Sequence, residues 1–316
     1  MKSNRQITHF VAPLEETPLL ATDSVKTDEA PLSLWADAWR KLRRRPLFIA
    51  AAIMIFVIVV VAVFPGLFTQ TPPNDNCLLA NSDGPPAPGH PLGFTFQGCD
   101  VYARVIYGTQ ASVTVGLFSV LGVLLVGVTL GALAGFFGGW IDSVLARLGD
   151  IFFALPLVLG ALVVVQLPFF RENKSVWTVV AVIVLLAWPQ MARLTRGAVI
   201  EVRNADFITA ARSLGVSPIN SLIRHVLPNA AAPIIVLATM ELGVFIVLEA
   251  TLSFLGIGLP GSIMSWGNDI NAAQSSIRTN PAVLLYPAAA LSITVLSFIM
   301  LGDALRDALD PKSRQR

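Results

Sequence analysis

Few residues in this sequence have the type and setting to do chemistry. Its three histidines, His9, His90 and His225, are scattered, and its two cysteines, Cys77 and Cys99, form no clustered His/Cys metal signature with them. No Gly-Lys pair occurs anywhere, so the chain lacks a phosphate-cradling loop of the GxxxxGK[ST] type. What remains are ionisable groups inside or beside long apolar runs: Glu241, Glu249, Asp142, Arg147, Asp150 and Asp303. A carboxylate at membrane depth is a functional candidate by default, either as a proton site or as part of a polar cavity. Glu241 sits near the middle of its run, and Glu249 lies farther out. Arg147 and Asp150, at i and i+3, read as a structural ion pair. A proton-coupled secondary transporter would use the glutamates. An intramembrane enzyme would need a nucleophile–base pair or metal ligands at depth, and the histidines all fall outside the apolar runs.

The elements that must hold these groups follow from composition. Apolar residues make up 54% of the chain and charged residues 13%, a balance that a soluble fold could not bury. The net charge of +2 gives no global field suited to nucleic acid. Runs free of charge, each near the ~20 residues that cross a ~30 Å hydrocarbon core, predict six transmembrane helices and an all-α polytopic membrane protein. They fall at 47–67, within 105–141, and at 147–167, 176–194, 230–254 and 283–301. Residues 1–33 are polar and aperiodic and read as a flexible cytoplasmic tail. Residues 34–46, with Trp35, Trp39 and the cationic run 40–45, read as an amphipathic membrane-surface segment. Pro156 and Pro189 should bend the third and fourth spans.

Six spans put both termini on one side, and the cations choose the side. Of the 22 Lys and Arg, only Arg104, Arg171, Lys174 and Arg278 fall on the opposite loops. Both termini, including 306–316, are therefore cytoplasmic. The first outer loop, 68–104, is rich in proline and glycine, which favours turns over long helices. Both cysteines lie in it, outside the membrane, where thiols either oxidise or remain unpaired.

Gly127, Gly131, Gly135 and Gly139 recur every fourth residue and so share one helix face. Such a stripe lets another helix approach closely, either in a pathway or subunit contact or in packing within the chain. The cytoplasmic loop 204–228 has a helix–break–helix grammar. Asn204 or Asp206 can cap its first helix, and Gly215 stands where a left-handed C-terminal residue is wanted. Ser217-Pro218 starts a second helix that Pro228 should end. Phe207, Ala210, Ala211 and Leu214 form one apolar face, which must lie back on the membrane or fill a groove in a partner.

In that loop, Ala210-Ala211-(x)3-Gly215-(x)9-His225-Val226-Leu227-Pro228 resembles the EAA loop of ABC-importer permeases, the element that docks into the nucleotide-binding subunit. His90-Pro91-Leu92-Gly93, Gly98-Cys99-Asp100, Gly138-Gly139-Trp140-Ile141-Asp142, Ala154-Leu155-Pro156, Trp188-Pro189, Leu252-Ser253-Phe254-Leu255-Gly256, Ser265-Trp266-Gly267 and Leu301-Gly302-Asp303 are similar to the C-type permease of dipeptide and oligopeptide importers. The matches run in order along residues 39–311. The resemblance implies a type I ABC-importer permease fold, with a five-helix core over 105–305, in a bacterial cytoplasmic membrane. It implies ATPase coupling through Asp206, Phe207, Thr209, Ala210, Ala211, Leu214, Gly215, His225, Leu227 and Pro228. It also implies a homologous second permease, an extracytoplasmic substrate-binding protein, and ATPase subunits that bind ATP and Mg; this chain would be no enzyme and bind no cofactor. Peptides are the implied cargo, while nickel, opines or oligosaccharides serve related permeases. Two positions depart from the pattern. Thr209 replaces the glutamate at the head of the loop, and Cys99 replaces the arginine of a Gly-Arg-Asp sequence. The second departure, with Cys77 also gained, fits a Cys77–Cys99 disulfide.

Overall fold

A computed structural model describes residues 34–74 and 77–309. The expected tail over 1–33 and residues 310–316 of the C-terminal segment lie outside them. The described chain is a succession of helices without strands: α1 (Leu34–Leu42), α2 (Pro46–Val63), α3 (Val101–Phe137), α4 (Gly139–Phe153), α5 (Leu157–Val165), α6 (Pro168–Glu172), α7 (Val176–Arg203), α8 (Asp206–Ser213), α9 (Pro218–Ser221), α10 (Leu227–Phe254), α11 (Trp266–Ala273) and α12 (Ala282–Leu309). Helices α2, α3, α7, α10 and α12 are each long and apolar enough to cross a membrane.

The third expected span, 147–167, bends at Pro156 as expected, but far enough to become two helices. It is a pair, α4 and α5, bent by 87° at the Ala154-Leu155-Pro156 break. Pro156 is the N-cap of α5 rather than an interior residue, and proline disfavours helical geometry in the residue before it. Pro189, by contrast, lies inside an uninterrupted α7. Counting the bent pair as one crossing restores six spans.

The core is built on α3 lying against α7, with α5 and α10 completing it around the buried residues Val115, Val123, Val182, Ile183, Met191 and Leu252. α2 buries only Ala51 and Ala62 within the chain and leaves Ile53, Phe56 and Val57 exposed. A helix apolar all round with so little buried surface suits a lipid-facing position. α1 lays Ala38 and Leu42 on Ala304 and Ala308 of α12, and Arg45 pairs with Asp307 at 2.6 Å.

The outer side is tied together by polar contacts. Cys77 and Cys99 form a disulfide with Cα atoms 4.3 Å apart. Asp100 caps α3 through the Tyr102 amide at 2.8 Å, and its other oxygen meets His90 Nδ1 at 3.0 Å. Gly98, at φ +75°, passes so close to the Leu78 carbonyl that a Cβ there would sit 1.9 Å from the oxygen. Asp83 accepts from Ser276 Oγ at 2.6 Å, joining the first outer loop to the last.

Candidate functional site

The 204–228 loop folds as its break residues dictate. α8 ends in a Schellman motif: Gly215, at φ +82°, donates to the Arg212 carbonyl at 2.9 Å, and Val216 donates to Ala211 at 3.1 Å. Ser217 caps the next helix, accepting from the Asn220 amide at 3.4 Å, with Pro218 in its first turn. The N-terminus differs from expectation. Ala205, not Asn204 or Asp206, is the N-cap of α8 and makes no side-chain cap. Asp206 instead occupies the first turn, where its charge complements the helix dipole.

Pro228 does not end the second helix. α9 runs through a π turn (Leu222–Val226) directly into α10, giving one helical rod over Pro218–Phe254. An ordinary α-helix would press the Pro228 ring onto the carbonyl four residues back. The π turn, in which the Leu227 amide reaches the Leu222 carbonyl, widens the helix at that point and lets it continue.

The side chains of α8 divide sharply. Ile208 is fully buried among Ala132, Phe136, Val199, Leu222 and Val226. Phe207 is 48% exposed and Leu214 84% exposed. Ala210, Thr209 and Pro228 are also exposed, and Ala211, His225 and Leu227 are partly so. Of the expected apolar face, then, Phe207, Ala210 and Leu214 point away from the protein, and the residue that holds α8 in place is one the periodicity did not single out. Ile208 could have been found only by asking which single position faces the rest of the protein. Ile219 and Ile223 extend the exposed apolar surface. The base of the loop is fixed by Arg203, whose Nη1 donates to the Gly135 and Phe136 carbonyls at 2.9 and 3.0 Å, and by Arg212 over the Phe136 ring. At His225, Asn229 Nδ2 donates to the main-chain carbonyl at 2.6 Å, a bond that does not involve the imidazole.

Three of the four stripe glycines meet α7 inside the chain. A Cβ at Gly127 would lie 2.7 Å from Met191 Cβ, at Gly131 2.3 Å from the Ala192 oxygen, and at Gly135 2.8 Å from the Arg196 oxygen. Packing within the chain is therefore what these three serve. Gly139 is not part of the stripe: it begins α4 at φ +59° with open space where its Cβ would be.

The charged groups find partners that spacing did not indicate. Asp150 pairs with Arg193 of α7 at 3.4 Å rather than with Arg147. Asp142 is held by Arg196, with Nη2 donating to Oδ2 at 2.7 Å. Glu249 is completely buried and accepts from Ser112 Oγ at 2.9 Å and Ser253 Oγ at 2.8 Å. Ser253 Oγ also accepts from the Leu259 amide at 3.1 Å, and Trp266 Nε1 donates to the Val105 carbonyl at 3.1 Å. The Trp266 bond ties α11 to α3, and α11 also packs on the outer end of α10, where a Cβ at Gly267 would come within 2.6 Å of Ala250. Arg104 donates to Asp269 Oδ1 from Nε at 2.8 Å and to Asn74 from Nη1 at 2.9 Å. Burial pushes the Asp269 carboxyl up from its ordinary value, opposed by the Arg104 guanidinium. Glu241 is 4% exposed, and its Oε2 has no hydrogen-bond partner.

Comparison with known proteins agrees over most of the chain. Residues 127–315 match the family described as binding-protein-dependent transport system inner membrane component. Residues 33–86 match the N-terminal transmembrane domain of oligopeptide transport permease C. The chain is 34% identical over 294 residues to a glutathione transport system permease protein of Pectobacterium atrosepticum, covering 93% of this chain and 96% of that one. It is 34% identical to the oligopeptide transport system permease protein of Bacillus subtilis, with 93% and 95% coverage. The dipeptide transport system permease protein of Alkalihalophilus pseudofirmus is 35% identical, with 90% and 91% coverage. Among solved structures, the inward-facing MetNI methionine ABC transporter is similar in fold, at TM-score 0.55 and 20% identity, covering 66% of this chain and 96% of that chain.

Proposed function

The chain belongs to the binding-protein-dependent transport system inner membrane components, and we propose on that premise that it forms half of a peptide pathway driven by separate ATPase subunits. It is a multi-pass inner-membrane permease subunit of an ABC importer. The peptide cargo is inferred from relatives named for glutathione, oligopeptide and dipeptide transport. A homologous second permease supplies the other half of the pathway, and an extracytoplasmic binding protein delivers the peptide. ATP and Mg are bound by the ATPase subunits.

The observation that carries this reading is the outward apolar face of α8. Phe207 and Leu214 stand exposed on a short helix whose opposite side is pinned by Ile208. An ATPase groove would bury that face. Because ATP is bound elsewhere, its closure must reach the pathway by contact. α8 is joined through Gly215 and Ser217 to the rod Pro218–Phe254, whose outer end holds Glu249 and, through Ser112 and Ser253, the α11 region. Displacing α8 therefore acts on a helix that reaches from the cytoplasmic to the outer side. A proton-driven carrier would leave the exposed face of α8 without a role.

The test is site-directed cross-linking from Phe207 or Ala211 in an active complex. Capture of an ATPase subunit is the expected result. Transport with no such capture would overturn the coupling assignment.

A further inference from the structure

Two glutamates lie on α10, and they are treated differently. Glu249 has both carboxylate oxygens occupied by serine hydroxyls. Glu241, two turns toward the cytoplasm, has a buried Oε2 with no partner. Buried polar atoms are nearly always bonded, so an unbonded carboxylate oxygen at membrane depth calls for a ligand. Glu241 lines a cavity of about 190 Å³ enclosed by the α4–α5 bend, by α7 beside Pro189 and by α10. Phe152, Phe153 and Phe245 also line it, and Gln190 adds a second polar side chain. The nearby cation Arg193 is engaged by Asp150 and by the Phe153 ring, which its guanidinium covers at 4.0 Å.

We propose that this cavity binds the ammonium end of the cargo, with Glu241 as its counter-charge. A carboxylate among aromatic rings is what an organic cation requires, since the ring faces also attract positive charge. The volume falls below the ~300–1,000 Å³ typical of a site that encloses a whole drug-sized ligand, so the cavity takes one end of a longer molecule. The cavity lies at the break between α4 and α5, where Leu155 and Leu157 on either side of the bend line it. As to cargo, the inference rests on the peptide reading above; as to ammonium recognition, it stands on the geometry alone.

The experiment separates the two. Val244 lines the cavity, and the two native cysteines are joined to each other, so Val244→Cys provides a single reactive thiol in this chain. It is placed in the reconstituted complex, with other subunits free of accessible cysteines. Modification rates are compared for an ammonium-bearing and a neutral thiosulfonate, each normalised to a free thiol in solution. A preference for the cation of about tenfold or more is expected, a modest figure for a unit charge acting across a few ångströms of protein. Glu241→Gln, nearly isosteric, abolishes the preference, and Glu241→Asp retains most of it. No preference in the parent, or one that survives Glu241→Gln, overturns the site whatever the cargo. In parallel, uptake is measured for one peptide with a free amino terminus and with that terminus acetylated. Loss of discrimination between them in Glu241→Gln supports the site as a cargo contact. If the parent complex moves neither peptide while the labelling preference holds, the cargo reading falls and the ammonium site stands.

Discussion

Adjacent residues of α8 should fail in opposite ways when each is cut to alanine. Ile208 is completely buried in the cluster that joins α8 to α3, α7 and the π turn. Ile208→Ala removes three carbon groups at about 0.8 kcal/mol each and leaves a cavity, for a loss of about 3 kcal/mol. That loss falls on the permease itself, because α8 loses its only fully buried side chain. Phe207 is 48% exposed, so its truncation should cost the isolated permease less than about 1 kcal/mol. In the assembled importer, docking would cover roughly half of a ~200 Å² side chain, about 100 Å², worth about 2.5 kcal/mol or ~70-fold in affinity at most. The assay has two readouts on each variant: thermal unfolding of the purified permease, and ATPase stimulation by loaded binding protein. Ile208→Ala should lower the unfolding temperature. Phe207→Ala should leave it nearly unchanged while uncoupling ATP hydrolysis from substrate. If Phe207→Ala destabilises the permease as much as Ile208→Ala does and coupling survives, the assignment of inward and outward faces is wrong.

Three further outcomes follow from close contacts and turns. Gly131→Leu should disrupt the α3–α7 packing, since even a Cβ would lie 2.3 Å from the Ala192 oxygen; overpacking typically costs about 1–3 kcal/mol, and wild-type assembly and uptake would show that α7 yields freely. Gly215→Val should cost about 1 kcal/mol or more, because φ is +82° there and β-branched residues avoid that region; a variant with unchanged stability and coupling would dismiss the Schellman stop. Cys99→Ser opens a link that spans 22 positions, at a cost on the order of 3 kcal/mol in the chain-entropy model; peptide mapping without reduction should find Cys77 joined to Cys99, and two alkylatable thiols in native protein would contradict it.

What the sequence settled by itself concerns long runs and single special residues. Span content follows from lengths of apolar chain, and the expected orientation from where the cations stop, properties that depend on the bilayer rather than on neighbours. The break at Gly215 and the restart at Ser217-Pro218 are likewise local, set by backbone freedom and by a hydroxyl three residues from an amide. Pro228 shows the limit of local rules, since a π turn absorbed the residue that should have ended the helix. Pro156 marked the α4–α5 bend, but not its size: an apolar run has the same composition whether slightly kinked or folded by 87°. Only the tertiary structure decided which groups meet. Periodicity marked a face on α8 but could not say that Ile208 faces inward, because apolar side chains suit a core and a partner's groove equally. Spacing put Arg147 beside Asp150, yet the partner came from α7, 43 positions along the chain. Glu241 and Glu249 are alike in sequence, two carboxylates in one apolar helix. What separates them is that serines of α3 and α10 reach one, while the helix break leaves a cavity beside the other.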